Sequence, residues 1–340
     1  MLDLYPLRLH PEFYERIWGA SSLAPFYSRE SAGNPIGEAW LTGDHCKVAN
    51  GPLAGMPLSE LTQQSGISLL GDAAPDVSRF PLLIKFLFPR DKLSVQVHPD
   101  DEAAARVGQP CGKTECWYIL RAEPGARIGL GLRAGTTKAE VERAIHENRM
   151  EQLLNWIEPR AGDLIYVDAG TVHTIGPGAV IVEIQQNSDT TYRLYDYGRP
   201  RELHIDAGMR ATRESTHAGK VEKQPVLAVN GKKQVNLVAS PCFIVDKFAL
   251  SHSWEFRRPA TGKRSVWCLV AIQGSGVISS SRCEPLSFHC GEVVVVPAAV
   301  DKFTVRPQWE VEFLCASLPL DRVSQPRTVL AENRAGAQEW

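Results

Sequence analysis

The chain is 340 residues long, beyond the roughly 250–300 residues at which one hydrophobic core stops growing, so two cores are expected. Apolar residues make up 44 % and charged residues 22 %, an ordinary balance for a globular enzyme. With 37 Lys and Arg against 39 Asp and Glu the net charge is −2, which excludes a basic footprint for nucleic acid or an anionic membrane; an anionic partner must be met locally.

The opening segment, MLDLYPLRLHPEFYERIWG, scatters its charges and lacks the apolar stretch and cleavage site of a secretory signal. No apolar run reaches the roughly 18 residues of a membrane span, and the eight cysteines contain no C-x-x-C pair. A cytoplasmic protein with reduced thiols is the expectation.

In chain order, short β-branched runs bounded by Gly, Pro and Asp recur in both halves: LLIKFLF, KLSVQVHP, ECWYILRA, DLIYVDAG and AVIVEIQ, then FIVDKFAL, VWCLVAI, EVVVVPAA and FTVRPQWEVEFLCA. Such spacing predicts barrels or sandwiches rather than βαβ units. Helical periodicity is confined to insertions at about 55–65, 100–108 and 138–157, all in the first half. Residues 1–215 are expected to form a β domain carrying these helices and 216–340 a leaner β domain, with the polar stretch 213–224 as linker.

Two segment pairs point to a duplicated unit. GKTECWYIL at 112–120 matches GKRSVWCLV at 262–270, and AGDLIYVDAGTVH at 161–173 matches CGEVVVVPAAVDK at 290–302. In that register Glu115 corresponds to Ser265 and His173 to Lys302, so two coordinating side chains of the first copy are absent from the second. Chemistry is expected in the N-terminal barrel, with a C-terminal domain that lacks metal ligands.

In LSVQVHPD the two-residue period of a strand sends Leu93, Val95 and Val97 to one face and Ser94, Gln96 and His98 to the other. Pro99 then ends the ladder, leaving His98 at a strand end. Lys113, Glu115 and Trp117 share a face of a second strand, where a carboxylate is costly to bury unless paired or bound to metal. His173 follows LIYV across the turn Asp168–Thr171. One amide oxygen, two imidazoles and one carboxylate suit a borderline-hard divalent ion, zinc first, with manganese, iron or cobalt behind it. Taken singly, a strand-end histidine is more often a hydrogen-bonded rim residue, and His10, His45, His146, His204, His217, His252 and His289 are read that way.

LSVQVHPDD, GKTECWYI, AGDLIYVDAGTVH and TYRLYDYGR resemble, in order and spacing, the hallmark segments of type I mannose-6-phosphate isomerases, particularly the short bacterial form; PLRLHPEFYERIWG and IGEAW resemble two more. The likeness is dense from about residue 5 to 210 and weak afterwards. It implies a mainly β fold of two cupin-type jelly-roll barrels, one Zn2+ per chain on Gln96, His98, Glu115 and His173, and interconversion of mannose 6-phosphate and fructose 6-phosphate. The resemblance places Arg193, Lys113, Lys85 and Glu183 at catalytic positions, and Ser94 and Arg199 in substrate binding. Against the general cupin pattern, Gln96 replaces a histidine and Asp168 a proline that Pro297 restores in the second copy.

Aldose-ketose isomerisation moves a proton between C1 and C2 through an enediol or enediolate, whose developing charge a Lewis acid and nearby cations stabilise. No Ser-His-Asp or Cys-His grouping, phosphate-cradling loop or dinucleotide fingerprint competes. Two other readings share the barrel: another metal-dependent cupin enzyme such as an iron oxygenase, which has no need of Lys85, Lys113 and Arg193, and a non-catalytic sugar-phosphate sensor. A small sugar phosphate is the expected partner, without nucleic acid or membrane, for a monomer or weak homodimer.

Overall fold

The computed structural model describes residues 2–31 and 33–329, so residues 330–340 of the expected C-terminal domain lie outside the described residues. The fold is mainly β, 41 % strand and 12 % helix. Among the described residues no helix is long and apolar enough to cross a membrane.

Three antiparallel sheets carry the architecture. An eight-stranded sheet runs, edge to edge, through Glu12–Ala20, Ile36–Trp40, Leu82–Leu87, Ala179–Gln186, Glu115–Ala122, Leu164–Val167, Gly219–Val221 and Thr328–Val329. A five-stranded sheet orders Tyr192–Tyr195, Val95–Val97, His173–Ile175, Ile128–Leu132 and Leu154–Ile157. Strand alternation explains how they face each other. Leu87, Trp117, Ile119, Ile165 and Ile181 of the first meet Ile128, Leu130, Ile157 and Ile175 of the second in one buried cluster. The opposite face of the five-stranded sheet, with Val95, Val97 and Leu194, is covered by Val141, Ala144 and Ile145 of helix Lys138–His146.

The third, nine-stranded sheet belongs largely to the C-terminal half and wraps its own core, in which Phe248, Phe256, Phe288, Phe303 and Phe313 gather. Its strands Trp267–Ser280 and Lys302–Ser317 are 14 and 16 residues long and bend with register shifts between residues 271 and 276. Gly274 sits in that bend at φ 70°, where a Cβ would stand 2.0 Å from the Glu310 carbonyl oxygen. The outward faces of the eight- and nine-stranded sheets pack together, Phe86, Cys116, Tyr166 and Ile184 against Val245, Cys268, Val295 and Leu314. All eight cysteines are free thiols.

A cut at residue 215 does not follow the sheets. Leu7–Arg8 pairs with Val294 and Val295 in the C-terminal sheet, while Gly219–Val221, inside the expected linker, pairs with Leu164–Val167 in the N-terminal one. The chain's first strand and its middle thus stitch the halves together. The matched segments do pair in both halves, Trp117 opposite Ile165 and Trp267 opposite Val296, two residues from strict correspondence. A two-residue slip keeps the same side chains inward.

Two helical expectations change. The helix expected over 138–157 covers only Lys138–His146, started by a reciprocal Thr137–Glu140 cap and ended before Asn148 at φ 56°. Met150 and Leu154 still reach the same cluster, from a 3-10 turn and a strand. The other two helices run Leu58–Leu70 and Asp101–Arg106, and an unexpected one spans Ile205–Ala211.

Candidate metal centre and cavity

Two facing rows of inward side chains build the site. In the five-stranded sheet Gln96 lies between His173 on one neighbouring strand and Arg193 on the other. In the eight-stranded sheet Trp40, Lys85, Glu183 and Trp117 are successive cross-strand partners. Val95 and Val97 bury outward under the helices, which fixes Gln96 inward; Leu93, outside the regular strand, packs instead with the inner cluster, contrary to the simple alternation.

His98 and His173 are positioned by their backbone surroundings. The Gly170 N–H donates to the His98 carbonyl at 2.9 Å, and Gly170 holds φ +88° where a Cβ would press on the Arg213 side chain at 2.7 Å. His98 Nδ1 lies 2.9 Å from the Thr190 carbonyl and His173 Nδ1 2.9 Å from the Thr171 carbonyl. Each Nδ1–H donates there, which leaves both Nε2 lone pairs directed at Glu115. His98 Nε2 stands 3.8 Å and His173 Nε2 3.5 Å from the two Glu115 carboxylate oxygens. Burial holds both imidazoles below the ordinary histidine pKa, His173 at about 4, so both are neutral at physiological pH, the form that can bind a metal.

Glu115 is fully buried, and burial pushes its carboxyl above the usual range even with Lys113 Nζ 3.2 Å away. Burial opposes the Lys113 ammonium, but Glu115, Glu183 and Asp189 outweigh it and raise its pKa. Among the described residues Glu115 Oε1 and His98 Nε2 have no hydrogen-bond partner, and Glu115 Oε2 has only the Lys113 ammonium beside it. Two orphaned buried polar atoms at one point are rare without a ligand to satisfy them. His98, Glu115 and His173 form the one group of potential metal ligands among the described residues, their atoms within 4.8 Å of one another.

The Gln96 amide reaches the same point, its nitrogen 3.2 Å from His173 Nε2 and its oxygen 3.2 Å from Ser94 Oγ. A half-turn of the amide exchanges those atoms and brings a fourth donor oxygen inward. Ligand atoms about 2.0–2.1 Å from a shared zinc at tetrahedral angles stand roughly 3.3 Å apart. The residues fit such an ion.

Gln96 also lines a cavity of about 400 Å³ with Lys85, Lys113, Ser94, Glu183 and Arg193, all expected site residues. Lys85 is 2 % exposed and far from snorkelling; its Nζ lies 3.4 Å from Asp189, 3.6 Å from Glu183 and 4.0 Å from Glu38, above the Trp40 ring. Glu183 accepts a hydrogen bond from Trp117 Nε1 at 3.0 Å. Arg193 donates through Nη1 to the Glu202 carbonyl at 2.7 Å.

Arg199 does not line this cavity. Its guanidinium turns to Asp91 at 2.7 Å and to the Lys92 carbonyl at 2.8 Å, and lies over Tyr197. Arg201 lines the cavity instead, with Arg16, Glu38 and Asp189, none of which was singled out from sequence. Arg16 and Glu38 fall inside the two early segments ERIWG and IGEAW, which carried the only available signal. A wider cleft of about 530 Å³, lined by Arg79, Cys111 and Cys242, holds none of the metal group.

Residues 6–118 match the model of the type I phosphomannose isomerase catalytic domain, a span that includes Gln96, His98, Lys113 and Glu115. The chain is 36 % identical over 315 residues to a probable mannose-6-phosphate isomerase of Bacillus subtilis, covering 88 % of this chain and 96 % of that protein. It is 35 % identical over 306 residues to the mannose-6-phosphate isomerase of Streptococcus mutans, covering 87 % and 93 %. The crystal structure of the mannose 6-phosphate isomerase from Bacillus subtilis superimposes with a TM-score of 0.81 at 31 % identity, over 92 % of this chain and 99 % of that one.

Proposed function

The chain belongs to the type I mannose-6-phosphate isomerases, and from that premise we propose that it interconverts mannose 6-phosphate and fructose 6-phosphate on a zinc ion held by Gln96, His98, Glu115 and His173. The observation that carries this reading is the orphaned pair, His98 Nε2 and Glu115 Oε1, next to a cation-lined cavity that Gln96 and Lys113 share. When bound there, zinc supplies Lewis acidity for the oxygens of the reacting carbons.

The chain's own groups do the rest. Lys113, fixed 3.2 Å from Glu115, and Arg193, beside Gln96 in the sheet, present positive charge where an enediolate would develop. Glu183 has one oxygen fixed by the Trp117 indole and the other 3.6 Å from Lys85. That second oxygen, Oε2, is the proposed carrier of the proton between C1 and C2, and Lys85 is its positioning cation. Trp18, Leu87 and Leu93 give the cavity an apolar flank that limits water around the intermediate. Free thiols throughout support a cytoplasmic site of action.

Formation of fructose 6-phosphate from mannose 6-phosphate is expected to stop after complete chelation and to return with zinc. Arg193→Ala should retain its zinc and lose roughly 10²–10³ in kcat. Full turnover by metal-stripped protein, or by Arg193→Ala, contradicts the respective assignment.

A further inference from the structure

We propose that Arg201, held in place by Asp196, anchors the substrate's phosphate. The sugar then lies with its phosphate against Arg201 and its reacting carbons toward Lys85, Glu183 and the Arg193 guanidinium beside Gln96. This deepens the isomerase reading and rests on the substrate being a sugar phosphate.

The two walls of the cavity differ in charge. On the eight-stranded side, Arg16, Lys85 and Lys113 face three carboxylates, those of Glu38, Glu183 and Asp189. Arg16 is engaged by both Glu38 oxygens at 3.1 and 3.0 Å, and Lys85 lies within 4.0 Å of all three carboxylates. The cations of that wall are matched by its carboxylates, which leaves no excess positive charge for a phosphate dianion.

Arg193 and Arg201 on the other side are backed by one buried carboxylate, that of Asp196, 1 % exposed, and Arg193 also by the exposed Glu202. Asp196 takes Arg201 fork to fork, Nε at 2.7 Å and Nη2 at 2.6 Å, which fixes the guanidinium plane. Nη1 of Arg201 is left without a partner among the described residues, at a side chain 25 % exposed in the cavity wall. Arg193 likewise keeps a buried Nε with no partner. Burial, followed by the like charge of Arg201, holds Arg193 below its ordinary pKa, a repulsion that a bound anion relieves. Planar, pre-oriented donors left over beside an excess positive charge are what phosphate recognition uses.

Calorimetric titration with inorganic phosphate tests this without turnover. Wild-type protein is expected to bind phosphate; Arg201→Ala should weaken it roughly ten- to a hundredfold. Arg201→Lys should recover part of that loss, and Arg199→Ala should change it by less than about twofold. Retained zinc content and circular dichroism identify folded variants, and Asp196→Asn, which loosens the fork without removing the cation, should weaken binding less than Arg201→Ala. In kinetics, Arg201→Ala should raise KM for mannose 6-phosphate more than it lowers kcat. Unchanged phosphate affinity in folded Arg201→Ala overturns the assignment, as does loss of phosphate binding in Lys85→Met with Arg201 intact. A wild-type protein that binds phosphate through Arg201 but isomerises nothing would sink the isomerase reading and leave the anchor standing.

Discussion

The two barrels use the same strand pair to opposite ends. In the N-terminal barrel Glu115 and His173 turn their carboxylate and imidazole into the interior, 3.5 Å apart, beside an unpartnered His98 Nε2. At the matching positions of the second barrel, Ser265 accepts the Leu318 N–H at 2.8 Å and donates to the Val266 carbonyl at 2.9 Å, while Lys302 is exposed. The second interior is filled by stacked rings, Phe248 on Phe313 at 5.3 Å and Phe256 on Phe303 at 5.2 Å. Its mouth is closed by Arg258, 4.2 Å from the Trp267 ring centre, which donates to the carbonyls of Ser265, Val296, Pro297 and Val300. Every donor there is spent on the fold, whereas the first barrel keeps its donors for something else. Polar groups left unsatisfied at a shared point distinguish a reactive chamber from a core better than polarity does.

The contrast breaks most readily at Glu115. Glu115→Gln is expected to lose metal and at least about a thousandfold in turnover. It should also lose the rise in melting temperature that saturating zinc gives the wild type, about 2.7 kcal/mol at a hundredfold excess over Kd. Scanning calorimetry with and without zinc reads this; an undiminished shift in the variant would remove Glu115 from the ligand set.

The second barrel predicts the reverse. Phe313→Ala, a fully buried ring stacked on Phe248, should cost about 3–5 kcal/mol in denaturant unfolding and leave zinc stoichiometry and KM of the folded protein unchanged. A loss of metal at full folding would join the barrels functionally. The smallest effect is a null one: Ser265→Glu combined with Lys302→His should bring no second zinc, because aromatic rings occupy the space an ion and its ligands need. Two zinc ions per chain in that variant would show the second barrel to be a dormant site rather than a filled one.

Much of the first barrel was legible because two-residue periodicity is local. Gln96, His98, Glu115 and His173 could be aimed inward from their neighbours alone, and the Cys116 side chain away from them. Arg199 and Arg201 could not. Tyr197 and Gly198 take φ of 57° and 78° between the strand and both arginines, and after such a reversal residue parity no longer reports direction. Arg16 and Glu38 were hidden for another reason: Glu38 meets Lys85, and Arg16 meets Glu38, through pairing of distant strands, which no short window contains. The overlong helix reading at 138–157 failed at Asn148, whose left-handed backbone ends the helix while the apolar spacing continues into a turn and a strand. The helix Ile205–Ala211 escaped notice with Gly208 inside it, a residue kept by contact, since a Cβ there would lie 2.4 Å from Leu194.

Convergence of four donors on one ion is the central claim, and locating the metal tests it most directly. Elemental analysis together with anomalous diffraction at the zinc edge should find one zinc per chain, within bonding distance of Gln96, His98, Glu115 and His173. A fully active protein whose metal lies elsewhere, or whose Glu115 remains unliganded at saturating zinc, would contradict the account.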